Sequence, residues 1–108
     1  MTTASSGYTA DAPARDDVER WPGLSVLEFG TDWCGFCIAA QPIIRAGLAT
    51  QSELKHVKVE DGKGRPLGRS FHVKLWPTLI FLRNGKEIAR VVRPARADEL
   101  AAALTRTR

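Results

Sequence analysis

Two cysteines stand three residues apart in the run Trp33-Cys34-Gly35-Phe36-Cys37. Thiols at i and i+3 can close a tight disulfide if the chain turns into a helix there. Residues 24–29 (LSVLEF) read as a buried strand, and residues 36–50 carry Ile38, Ile43, Ile44 and Leu48 at helical spacing, with Pro42 expected to kink the helix. The cysteines therefore fall at a strand-to-helix turn. Unsatisfied N–H groups and the helix dipole stabilise negative charge on a sulfur at that point, favouring a thiolate on Cys34. The chemistry that follows is thiol–disulfide exchange, with Cys34 as nucleophile and Cys37 as the thiol that resolves the intermediate.

Other uses of two cysteines fit less well. A pair this close cannot staple a small secreted fold. Tetrahedral zinc needs four ligands, and the two histidines, His56 and His72, lie far off in sequence, so no metal is expected. A cluster bridged between two chains would need ligands from elsewhere. No cofactor is expected.

The elements that must hold this turn come from the rest of the chain. Its 108 residues, 44% apolar, suit one domain, and no apolar run reaches the roughly 18 residues a membrane span requires. Residues 1–14, rich in Thr, Ala, Ser and Asp, are expected to form a flexible tail, with the folded domain covering 15–108. A short helix is expected over 14–21, ended by Pro22-Gly23. Residues 54–60 (LKHVKVE) give a second strand, and a short helix is expected over 66–71. Residues 78–82 and 87–92 flank Asn84-Gly85 as a hairpin with a type I′ turn, and a closing helix is expected over 98–104. The order β-α-β-α-β-β-α implies a mixed sheet with helices on both faces. Residues 21–108 hold 14 Lys/Arg against 8 acids, a formal charge of +6. The basic residues are scattered singly, so neither nucleic acid nor a membrane surface is an expected partner.

WCGFC between a strand and a proline-containing helix, with Trp76-Pro77-Thr78 entering a hairpin forty residues after Cys37, resembles the thioredoxin family over about residues 24–104. The resemblance implies a thioredoxin-like α/β fold and a thiol–disulfide oxidoreductase acting on protein disulfides. It gives Pro77 the role of a cis proline beside the cysteines and makes Trp76 the residue whose backbone meets an extended substrate. It also matches Glu28 and Lys58 to a buried acid–lysine pair. Desolvation within an apolar strand is expected to raise the pKa of Glu28, suiting it to exchange a proton with Cys37 through water.

The departures from the family pattern lie on the active surface: Phe36 in place of a proline, Gly30 in place of a tryptophan, Arg93 in place of a glycine. Trp33, Gly35, Phe36, Trp76, Pro77 and Arg93 are thus the expected substrate-binding residues. Phe36 restores an N–H expected to point at the Cys34 sulfur, which would make the couple somewhat more oxidising than in thioredoxin itself. An electron donor such as thioredoxin reductase or glutathione is implied. Residues 1–17 have neither a basic nor an apolar leader segment, so the expected compartment is the cytoplasm and the expected state a monomer. The alternative is a binding module that uses the altered groove, with redox-silent or regulatory cysteines.

Overall fold

The computed structural model describes residues 7–108. Four strands form one mixed sheet in the order β2-β1-β3-β4: β1 (Leu24–Gly30), β2 (Lys55–Glu60), β3 (Thr78–Arg83) and β4 (Lys86–Val92). The helices are α1 (Arg15–Glu19), α2 (Gly35–Leu48), α3 (Pro66–Ser70) and α4 (Ala97–Thr107). β1 pairs in parallel with β2 and antiparallel with β3, which pairs antiparallel with β4. No helix among the described residues is long and apolar enough to cross a membrane.

β1 is a near-continuous apolar run because both of its faces are covered. On one face Val26, Leu79 and Phe81 pack with Ile44 and Leu48 of α2 and with Leu100 and Leu104 of α4. On the other, Leu27, Phe29, Ile80 and Leu82 pack with Val18 of α1 and Leu67 of α3. Helix α2 runs on through Pro42 to Leu48. In the β3–β4 turn Asn84 and Gly85 have φ of 51° and 79°, the two positive values a type I′ turn requires. Asn84 also accepts from the Gly23 N–H at 2.8 Å and donates its own N–H to the Gly23 carbonyl at 2.8 Å, clamping the hairpin to the start of β1.

The element order agrees with the sequence reading, with ends shifted by at most three residues. The expected tail differs. Residues 1–6 lie outside the described residues, but Tyr8 is only 9% exposed, and Thr9 forms a parallel bridge with Val59 at the free edge of β2. The Tyr8 ring packs beside Cys34 and Cys37, and the Thr9 backbone bonds to Lys58 and Glu60 at 2.9 and 2.8 Å hold the segment along β2.

Candidate functional site

Cys34 is the N-cap of α2, and its Sγ accepts from the Cys37 N–H at 3.2 Å. A side chain at the N-cap reaches the N–H two or three residues on. The bond therefore comes from Cys37, and not from Phe36 as the sequence suggested; the expectation of a more oxidising couple loses its stated cause. Both cysteines are free thiols, 7% and 1% exposed. Burial pushes the Cys37 thiol up to about 11, and its hydrogen bond with Cys34 adds to the rise.

Behind Cys37 lies a buried polar cluster. Glu28, fully buried on β1, accepts from the Tyr8 hydroxyl and from Gln41 Nε2 at 3.0 Å through Oε2, and pairs with His56 Nε2 at 2.8 Å through Oε1. Gln41 Nε2 also donates to the Cys37 carbonyl at 2.9 Å, and Lys58 Nζ donates to Gln41 Oε1 at 2.7 Å while standing 4.7 Å from the Tyr8 ring centroid. β1 and β2 bring the acid and lysine into register, Glu28 opposite Lys58. The expected rise in the Glu28 pKa is overturned. Burial does push it up, but hydrogen bonds from His56, Gln41 and Tyr8 outweigh that and hold the carboxyl below its ordinary value. Tyr8 moves the other way, its phenol raised by burial and by the neighbouring Glu28 carboxylate.

Gly30 makes room for this cluster. A Cβ there would lie 2.6 Å from Cys37 Sγ and 2.9 Å from the Tyr8 hydroxyl oxygen, closer than such contacts allow. Sequence reasoning noted Gly30 as a departure but missed Tyr8, Gln41 and His56 as members of the site. Gln41 was legible as the residue one helical turn after Cys37, and His56 as the residue two before Lys58 on the same strand face.

In front of Cys34 the surface is apolar and open. Trp33 is 75% exposed and Phe36 59% exposed, and Trp33 meets Trp76 edge-on with ring centroids 5.8 Å apart. Gly35 opens α2 with free space around its Cα. The Trp76–Pro77 peptide bond is cis, and the Trp76 indole N–H is held by Asp61 at 2.8 Å. Arg93, at φ 49°, lays its guanidinium 3.8 Å from the Phe36 ring centroid and donates Nε–H to the Trp76 carbonyl at 2.8 Å. The carbonyl expected to face substrate is thus occupied by a side chain of the same molecule.

The thioredoxin family model matches residues 9–106. Thioredoxin H2 of Arabidopsis thaliana is 31% identical over 79% of this chain, and thioredoxin H2-1 of Oryza sativa is 30% identical over 71%. The matched stretches span 63% and 55% of those relatives' own lengths. The reduced form of thioredoxin 2 from Pseudomonas aeruginosa superposes with a TM-score of 0.82 at 57% identity, covering 91% of each chain.

Proposed function

Since the chain belongs to the thioredoxin family of thiol–disulfide oxidoreductases, we propose that it acts as a protein-disulfide reductase in which Cys34 is the nucleophile and Cys37 the resolving thiol. The Cys34 thiolate attacks a substrate disulfide, joining one substrate sulfur and expelling the other as a thiolate. Cys37 then attacks Cys34 in the mixed disulfide; the Cys34–Cys37 bond forms, the Cys34–substrate bond breaks, and the electron pair leaves with the substrate sulfur. A dithiol donor such as a thioredoxin reductase, or glutathione, restores the pair, and the cytoplasm is the compartment in which this direction of flow is sustained.

The observation that carries this reading is the Cys37 N–H bond to Cys34 Sγ together with the burial of Cys37. Burial, the largest cause of the rise, keeps the Cys37 thiol protonated before capture, and the contributions of the Cys34 side chain to that rise are relieved once Cys34 is a disulfide sulfur joined to substrate. Glu28, held as a carboxylate, takes the proton, while Trp33, Phe36 and Trp76 form the docking surface for the substrate chain. Lys58 positions Gln41, and through it the carboxylate.

Insulin reduction with dithiothreitol as donor tests the assignment. Cys34→Ser is expected to abolish turnover, and Cys37→Ser to capture substrate as a stable mixed disulfide detectable by mass. Turnover by Cys34→Ser at the wild-type rate would refute it.

A further inference from the structure

We propose that Tyr8, Glu28 and His56 form a side-chain proton path linking Cys37 to solvent, with Tyr8 as the group that hands the proton between thiol and carboxylate. This rests on the reading above in which Glu28 accepts the Cys37 proton. The Tyr8 hydroxyl donates to Glu28 Oε2, and the absent Cβ of Gly30 would touch that hydroxyl and Cys37 Sγ alike, so oxygen and sulfur flank one small space. Glu28 Oε1 meets His56 Nε2 at 2.8 Å, and the His56 side chain is 29% exposed where Glu28 is sealed. The path therefore begins at a buried thiol and ends at solvent.

The step balances. As Cys37 attacks the mixed disulfide, its proton passes to the Tyr8 oxygen while the Tyr8 proton passes to Glu28 Oε2. After a turn of the carboxyl group, His56 in its Nδ1–H tautomer accepts the proton at Nε2 and releases its Nδ1 proton to water, ending as the Nε2–H tautomer that donates to the Glu28 carboxylate, and the electron pair of the broken bond departs with the substrate sulfur. When a donor reduces the disulfide, Cys37 leaves as a thiolate and recovers its proton by the same route. The groups facing the path are Cys37 and Gln41 from α2, Glu28 from β1, and His56 and Lys58 from β2, with Asp32 accepting the Tyr8 N–H at 2.9 Å. A cleft of about 260 Å³ lined by Tyr8, Thr31, Asp32, Cys37, Gln41 and Arg45 offers water a competing way in, so the test must separate hydroxyl from water.

Reaction with 5,5′-dithiobis(2-nitrobenzoate) releases one coloured thiolate on capture by Cys34 and a second on resolution by Cys37, giving both rates in one trace. Tyr8→Phe keeps the ring and removes the hydroxyl. It is expected to lower the ratio of resolution to capture about a hundredfold, the low end of what positioned proton transfer contributes, and the loss is recovered by added imidazole. His56→Gln, which still bonds Glu28 but does not titrate, is expected to slow resolution in dilute buffer only. An unchanged ratio in Tyr8→Phe overturns the path in favour of water in the cleft. An equal fall in both phases overturns it in favour of packing. If Glu28→Gln leaves resolution untouched, the reading of Glu28 as proton acceptor fails instead, whatever Tyr8→Phe shows.

Discussion

Cys34 looks outward onto aromatic rings and a guanidinium, whereas Cys37, one helical turn on, is backed by a carboxylate, a phenol, an amide and a lysine. The front is built from exposed groups held only by contacts with one another and with Trp76: Trp33, Phe36 and Arg93. The rear is built from groups that each satisfy one another in a space closed to solvent on the Glu28 side. The difference follows from what each sulfur must do. Capture requires an accessible surface that tolerates many substrates, while resolution requires one proton to be moved from one fixed place.

Changes at the rear should therefore cost the most, in stability as well as rate. Glu28→Ala leaves the Tyr8 hydroxyl, Gln41 Nε2 and His56 facing an empty buried site, and each buried group without a partner costs about 1–3 kcal/mol. A net loss of about 2–4 kcal/mol by chemical denaturation is expected. A loss under about 0.5 kcal/mol, the range of an ordinary surface substitution, would break the contrast. The two rear groups also have opposite pH signs. Glu28 titrates below its ordinary 4.5 in the native state, so it contributes stability above that pH, lost as pH falls through the lower native value. Glu28→Gln should lose less stability on acidification than the wild type. Cys37, raised from 9.0 to about 11, contributes stability that is complete below pH 9 and lost as pH rises through 11, and Cys37→Ser should flatten that alkaline limb.

The same contrast marks what could be read from the sequence. The front was legible: the WCGFC spacing, Trp76-Pro77 and the odd Arg93 all lie within short motifs. The fold was legible too, since the apolar runs and the Asn84-Gly85 turn are local signals. Much of the rear was not, because most of its bonds join residues 13 to 33 positions apart, such as Tyr8 with Glu28 and Glu28 with His56. Composition placed Tyr8 in a tail, and nothing local says that removing a side chain at Gly30 admits a ring from the N-terminus. The sign of the Glu28 shift failed for the same reason: desolvation can be inferred from neighbours in sequence, but three converging donors cannot.

A middle-sized effect belongs to Arg93. Its Nε–H holds the Trp76 carbonyl, which an extended substrate would otherwise use, and a hydrogen bond of this kind is worth about 0.5–1.5 kcal/mol net. Arg93→Gly frees that carbonyl and also suits the φ of 49°. Capture of a neutral cystine-containing peptide is expected to rise about threefold, in line with that energy. A slower capture would show that Arg93 is itself an anchor for the substrate.

The smallest effect is expected at Phe36, where sequence alone argued for a somewhat more oxidising couple. A proline there removes the Phe36 N–H, but the bond that Cys34 Sγ accepts comes from Cys37, one residue further along α2. Proline is well tolerated in the first turn, where its missing N–H has no partner within the helix. Phe36→Pro therefore keeps the Cys37 N–H bond to the sulfur and removes only the ring under Arg93, a cation–π contact worth about 0.5–1 kcal/mol at an exposed site. The equilibrium of the Cys34–Cys37 couple with glutathione should stay within about twofold of the wild type, since 1.4 kcal/mol at the sulfur would be needed for a tenfold change, about 30 mV. Phe36→Ala, which loses the ring and keeps the N–H, should match it. A tenfold shift toward the disulfide's being harder to reduce in Phe36→Pro, absent from Phe36→Ala, would mean that the Phe36 N–H does reach the sulfur and that the front of the site governs the redox balance as well as access.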